Sequence, residues 1–340
     1  MHVTASAPGK LVLLGEYAVL EGAPALVLAV DRRARVTLAG GAGDCWDILS
    51  PTLGLDASLR IGPAGVEWRG APSPRLAWLA VLFERLPFAQ GLAPCRVELD
   101  SDPFYLHHAG STTKLGLGSS AALTVALLGA LHAHARQSAP ALDTCIAVHR
   151  AIQGGRGSGI DIAASLTGGL SRFERAGATS ICTPLQLPGE LHWRCVFSGR
   201  PASTGKMLAT VAAWREREPT HYARCMDELA TIASRGVDAV ANRDASAFLS
   251  SLHDYSQALA RLGEASGTEI ASREHRAIAA LARDCGAVYK SCGAGGGDVG
   301  ITFAVDDTRL GEFAARATQA GFPVIGLDAD PQGLETNVDA

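Results

Sequence analysis

The 340-residue chain has no run approaching the ~20 consecutive apolar residues of a membrane span, and its first ten residues show no basic stretch followed by an apolar one. Neither a membrane helix nor an export signal is expected. There is no excess of positive charge either. Thirty Lys and Arg against 34 Asp and Glu leave a net charge of −4, which gives no electrostatic reason to expect nucleic acid or an anionic membrane as partner. The eight cysteines contain no CxxC pair. Their even number would permit disulfides, but in a chain this long without an export signal reduced thiols in a cytoplasmic setting are expected. His132 and His134 stand two apart in a helical stretch, where side chains do not share a face, so they do not read as a metal site. No internal repeat is present.

What is there is apolar and mixed in texture. A hydrophobic content of 47% in a chain beyond the usual single-core length predicts two domains sharing a cleft. Leu11 to Leu14, Ala25 to Val30 and Arg35 to Leu38 read as strands, and the Gly- and Pro-rich segment 40–74 as hairpins and loops. Helices are expected from Ala121 to just before Pro140, from Leu142 to Gln153, and over Thr204 to Trp214, Tyr222 to Asn242 and Ala245 to Leu262. Val288–Tyr289 and Gly300 to Ala304 read as strands, and Leu310 to Ala320 as a last helix. The texture changes beyond Pro188, which divides the chain into 1–187, 188–330 and a loose tail over 331–340.

The most informative local feature is KLGLGSSAA, residues 114–122, a glycine turn feeding a helix. Gly116 and Gly118 let the backbone approach an anion, Ser119 and Ser120 add hydroxyls, and the free N–H groups of the first helical turn point at bound charge. A Walker A loop needs Lys straight after its last Gly, and Ser119 stands there instead. A dinucleotide fingerprint accepts the spacing Gly116, Gly118, Ala121 but wants a strand running into the first Gly, and Cys95 to Leu99 is separated from it by the polar stretch 100–114. By itself the loop fits a nucleotide site or an ordinary helix start.

Two further blocks accompany it: PGKLVLLGEYAVLEG over 8–22 and SCGAGGGD over 291–298. The three together, in this order, resemble the signature motifs of the GHMP small-molecule kinases, and the resemblance spans nearly the whole chain. It implies an α+β, two-domain fold with a ribosomal S5 domain 2-like N-terminal half that binds nucleotide and a ferredoxin-like C-terminal half. It also implies ATP and Mg²⁺.

A fourth block, HRAIQGGRGSGID over 149–161, places a carboxylate among glycines. It resembles the GSGxD segment that carries the catalytic aspartate in the mevalonate branch, although Asp161 also suits a helix N-cap. Mevalonate kinases show His where this chain has Tyr17, and a magnesium-holding Glu where it has Arg150. The block is closer to the HxxAQGxxGSGxD pattern of phosphomevalonate kinases, departing only at Ile152, and residues 198–204, SGRPAST, resemble that family's substrate-side segment.

The resemblance implies that Lys10 and Asp161 are catalytic. Gly116, Leu117, Gly118, Ser119, Ser120 and Ala121 would hold the nucleotide, with Ser120 on the metal. Tyr17, Ser158, Gly159, Ser203, Ser291, Gly293 and Ala294 would face a small phosphorylated substrate, with Arg156 and Lys206 as further cations or solvated surface charges. The expected activity is phosphorylation of 5-phosphomevalonate by a monomer or homodimer. Mevalonate kinase, diphosphomevalonate decarboxylase and a silent ligand sensor are the alternatives on this scaffold.

Overall fold

The computed structural model describes residues 1–41, 43–108, 111–177 and 179–339. In chain order the elements are β1 (His2–Leu14), β2 (Ala25–Gly40), β3 (Trp46–Ser50), β4 (Leu55–Gly62), β5 (Gly65–Arg69), α1 (Trp78–Glu84), β6 (Cys95–Asp100), β7 (Tyr105–His108) and β8 (Ser111–Lys114). Then follow α2 (Ser119–His134), α3 (Leu142–Ile152), α4 (Ile160–Thr167), β9 (Leu170–Ala176), β10 (Thr179–Leu185), β11 (His192–Phe197), α5 (Thr204–Arg217), α6 (Pro219–Ala241) and α7 (Ala245–Ser266). The chain closes with α8 (Arg273–Asp284), β12 (Val288–Ser291), β13 (Val299–Ala304), α9 (Asp307–Gln319), β14 (Val324–Ile325) and β15 (Glu335–Asp339).

The long antiparallel pair β1 and β2 organises a large sheet, in which β2 is flanked by β9 near its start and by β6 near its end. Successive strand side chains point to opposite faces. Leu11, Leu13, Leu26, Leu28 and Val30 therefore pack with α6 and α7 through Leu229, Val237, Phe248 and Leu252. Val12, Ala25 and Val27 pack on the other face with Val125 and Leu128 of α2 and Ile162 of α4. A sheet covered on both faces reads as continuous apolar sequence, which is why these strands were legible. The second sheet, in the order β12-β13-β11-β14, shares the first apolar cluster through Ile301 and Phe303. That cluster runs from β1 and β2 into the C-terminal half, while a second lies wholly within the N-terminal half and a third, around Val196, Ile278 and Phe313, wholly within the C-terminal half.

Four expectations are corrected. The expected loose tail over 331–340 contains a paired strand: β15 (Glu335–Asp339) pairs antiparallel with His2 to Ser6. Arg33 gathers this segment, reaching Asp330 at 2.6 Å, the Gly333 carbonyl at 2.7 Å and Glu335 at 2.9 Å while also holding Ser6. All five β15 residues are exposed, so no apolar alternation marked the strand. The polar stretch before the glycine loop contains a hairpin, β7 with β8, that ends at Lys114. Helix α2 stops at His134 instead of reaching Pro140, because Arg136 turns left-handed (φ 54°) and Gln137 donates back to the His132 carbonyl. Helix α8 was not anticipated. Its apolar stripe is narrow, essentially Ile278 and Ala282, and it starts where the Ser272 hydroxyl accepts the His275 N–H.

His275 of α8 is buried against the second sheet. Its Nε2 donates to the Gly297 carbonyl (2.8 Å) and its Nδ1 accepts the Tyr289 hydroxyl (2.7 Å), which defines a neutral Nε2–H tautomer. Burial pushes its pKa from 6.5 down to about 4, the Gly297 bond and Glu274 opposing only in part. Between those values the unfolded chain binds the proton and the folded one does not. The stability is therefore complete above pH ~6.5 and falls as the pH drops toward ~4, by about 3 kcal/mol. Urea unfolding of wild type and His275→Gln at pH 7 and pH 4.5 measures this contribution. The variant should lose less stability on acidification, and equal losses in the two proteins would refute it.

Candidate active site

The glycine loop and Lys10 are one construction. The Lys10 N–H donates to the Leu117 carbonyl at 2.9 Å, tying β1 to the loop. A Cβ on Gly9 would sit 2.9 Å from that same carbonyl oxygen and from the Phe104 ring, so only glycine allows this approach. The Lys10 stem then runs along Gly118, whose absent Cβ would lie 3.1 Å from Lys10 Cγ. Its ammonium is nearly buried and stands 3.7 Å from Asp161 Oδ1. Gly118 is left-handed and begins α2 with no side chain to cap it, which leaves the first-turn N–H groups to a ligand. Ser119 is buried at this turn and Ser120 exposed.

Asp161 is delivered by the fourth block. The cap of α4 is Gly159, at φ 93°, with Asp161 two residues inside the first turn, so the N-cap reading of Asp161 does not hold. A Cβ on Gly159 would collide with Ile146 at 2.8 Å. Ser158 Oγ accepts from the Ile160 N–H, shaping the same turn. Arg150 clamps it from α3, donating to the carbonyls of Gly157 and Ser158 at 2.9 Å each. The Arg150 guanidinium thus supports the loop carrying Asp161. One turn-mate, His149, was not singled out by sequence: its buried Nε2 lies 3.3 Å from Ser120 Oγ. Burial pulls its pKa below the usual histidine value, against the attraction of Asp161, which leaves it neutral at pH 7.

The glycine-rich block after β12 meets these elements from the C-terminal half. Gly293 faces Lys10, its absent Cβ 3.9 Å from Nζ. The Tyr17 hydroxyl donates to the Ala294 carbonyl at 2.7 Å, so Tyr17 offers the site the position of that loop in place of a free hydroxyl. Ser291 is buried beside it. Ser203 is exposed at the start of α5, and Arg156 and Lys206 are exposed. Two groups that close and open quoted motifs, Asp298 and Lys114, join the site unforeseen. Asp298 packs against Gly116, where a Cβ would lie 2.3 Å from its carboxyl, and accepts the Ala202 N–H at 3.0 Å. Burial raises its pKa, opposed by that bond and by Lys10 and Lys114. Lys114 is open to solvent along its chain. Its ammonium is nevertheless held below the usual lysine range by partial desolvation, with Asp298 opposing and Arg75 and Lys10 adding repulsion.

Among the described residues no three His, Cys, Asp or Glu side chains come together as a metal cage. Hard oxygens near the helix start include the exposed Ser120 hydroxyl and the Asp161 carboxylate, about one-third exposed. Magnesium commonly takes one or two protein oxygens and completes its shell with phosphate oxygens and water, and this donor set suits that use.

Residues 79–169 match the family described as GHMP kinases N terminal domain. A mevalonate kinase of Methanothermobacter thermautotrophicus is 31% identical over 316 residues, covering 87% of this chain and 88% of the relative. A phosphomevalonate kinase of a Streptomyces species is 29% identical over 336 residues, with 87% and 88% covered. In three dimensions the Streptococcus pneumoniae phosphomevalonate kinase in complex with phosphomevalonate and AMPPNP superposes with a TM-score of 0.77 at 19% identity, over 96% of this chain and 99% of that one. With residues 79–169 matching that family and a relative 31% identical over 87% of its length, the chain belongs to the GHMP kinases.

Proposed function

We propose that the chain transfers the γ-phosphate of ATP to the phosphate group of 5-phosphomevalonate, forming 5-diphosphomevalonate. Arg150 is the observation that carries the reading. Where the mevalonate kinase pattern has a carboxylate, this guanidinium holds the Gly157 and Ser158 carbonyls. The cleft keeps Lys10 and Lys114 facing Asp161 and Asp298 without that further negative charge. Such a balance suits an acceptor that brings its own phosphate. The 31% identical relative, a mevalonate kinase, favours mevalonate as a second reading.

Phosphoryl transfer asks the protein mainly to position groups and neutralise charge. The N–H groups at the start of α2, with Ser119 and Ser120, would hold the nucleotide phosphates, and magnesium, when bound through Ser120 and the phosphates, would screen their charge. Lys10, fixed by the loop carbonyl and by Asp161, would sit between acceptor and donor and stabilise the negative charge of the transition state. A phosphate acceptor has a second pKa of about 6 and is already anionic at pH 7. Asp161 would then orient Lys10 and the acceptor, with no proton to abstract. An alcohol acceptor would need it as a base.

Purified protein given ATP with mevalonate, 5-phosphomevalonate or 5-diphosphomevalonate should turn over 5-phosphomevalonate fastest. Equal or faster use of mevalonate would transfer the assignment to the second reading. Lys10→Met should lower kcat by at least ~10² while nucleotide affinity stays within a few-fold, measured by steady-state kinetics and nucleotide titration. Wild-type turnover in that variant would remove Lys10 from the mechanism. Asp161→Asn should keep measurable turnover and share with wild type a rate that rises through pH ~6 as the acceptor ionises. If only the variant loses that low-pH limb, Asp161 is a general base and the acceptor chemistry proposed here is wrong.

A further inference from the structure

Outside the reacting groups, the most fully buried charges belong to Lys290 and Glu16, whose side chains are 0% and 4% exposed. Lys290 lies in β12 and Glu16 follows β1, so the pair joins segments 274 residues apart in sequence. The ammonium donates to Glu16 Oε1, to the Ser291 carbonyl at 2.7 Å and, at 3.4 Å, to the carbonyl of Val12, two residues beyond Lys10. It also lies 5.7 Å from the centre of the Tyr255 ring, and the Tyr255 hydroxyl donates to the Glu16 carbonyl at 2.7 Å. Glu16 Oε1 accepts in addition the Gly293 N–H at 3.2 Å, whereas Glu16 Oε2 is buried without a partner.

As a device for stability this arrangement is poor. Desolvating two charges costs several kcal/mol per ion, and an apolar pair of the same volume commonly does as well or better. A buried carboxylate oxygen left unbonded adds to the cost. The geometry does accomplish something an apolar pair could not. One ammonium holds the β1 backbone beside Lys10 and the backbone of the glycine-rich loop at the same time, and its counter-ion holds Gly293, the residue that faces the Lys10 ammonium. Both halves of the chain are thereby referenced to one point behind the reacting lysine.

We infer that Glu16 and Lys290 are positioning residues: their buried pair sets the distance between Lys10 and the substrate-side loop 291–294, and so the alignment of acceptor with transferred phosphate. Neither residue touches substrate. Displacing reacting groups by about 1 Å costs on the order of 10² in rate, so the loss of this reference is read in kcat. The loop 116–120 bonds to β1 through the Lys10 N–H and makes no bond to Lys290 or Glu16, so the expected effect on nucleotide affinity is small. The inference rests on the proposed phosphoryl transfer past Lys10, with whichever acceptor the wild-type protein uses.

The test compares Glu16→Gln, Lys290→Met and the double variant. Each single change leaves a buried charge or an unmatched partner and should lower Tm by roughly 10 °C, whereas the double variant, neutral at both positions, should recover most of that loss. In the double variant kcat should remain ~10-fold or more below wild type, with acceptor KM raised and ATP KM within about two-fold. Recovery of wild-type kcat and acceptor KM along with Tm would make the pair purely structural and overturn the inference. Tyr255→Phe provides a milder perturbation, removing only the hydroxyl that braces Glu16. It should lower kcat a few-fold at unchanged ATP KM, and wild-type values there would count against the inference even if the charge variants fail to fold. A protein that works on mevalonate instead of 5-phosphomevalonate changes the acceptor used in the assay and leaves this comparison intact. The two failures are therefore distinguishable.

Discussion

Everything in the cleft depends on the seating of β1 against the glycine loop. The bond from the Lys10 N–H to the Leu117 carbonyl, with glycine at position 9 admitting the contact, fixes the lysine backbone relative to the start of α2. A lysine side chain left to itself surrenders rotamer entropy of up to ~2 kcal/mol on being ordered. Here the stem lies along Gly118 and the head beside Asp161, so that loss is met during folding and would not be incurred again in the proposed reaction. Because β1 is hydrogen-bonded to β2 along its length and covered on both faces, its position responds little to what binds in the cleft.

The same geometry organises the electrostatics. Lys10 and Lys114 come from different segments and would repel one another in an otherwise empty cleft. Asp161 and Asp298 stand beside them, each supplied by a glycine-rich turn. Partial exclusion of water strengthens these interactions relative to bulk solvent. In the proposed phosphoryl transfer an entering phosphate would meet donors and cations already oriented, the condition under which electrostatic stabilisation of a transition state is most effective. Behind this shell lies a layer of supports: Arg150 on the carbonyls before Asp161, His275 on the Gly297 carbonyl, and Tyr17 on the Ala294 carbonyl. Each uses a side chain to hold backbone, the means by which loops without side chains of their own can be made rigid.

The end of β1, the two halves of β2 and helices α5 to α7 were legible because their apolar residues recur with the period of the structure they form, whereas residues 2–10 of β1 were not read as strand. Helix α8 and strand β15 were not legible, since one buries a narrow stripe and the other buries nothing; they are held by a cap and by the Arg33 network. The glycine loop, Lys10 and Asp161 stood out through residue type and local spacing. Asp298 and Lys114 were in plain view at the ends of quoted motifs, but nothing in a linear reading brings residue 298 to Gly116.

By itself the sequence determined which segments could carry phosphate chemistry, because glycine next to a helix start and a lysine after Pro-Gly are local requirements of backbone conformation. It also determined that the central strands would be buried on both faces. Only the tertiary structure decided what those segments act on together: the 3.7 Å approach of Lys10 to Asp161, the turning of Arg150 onto its own loop, and the burial of Lys290 against Glu16. The physical reason is range. Hydrogen bonds and charge pairs act over a few ångströms, and residues tens to hundreds of positions apart reach that distance only once the sheet and its helices have closed around a common core.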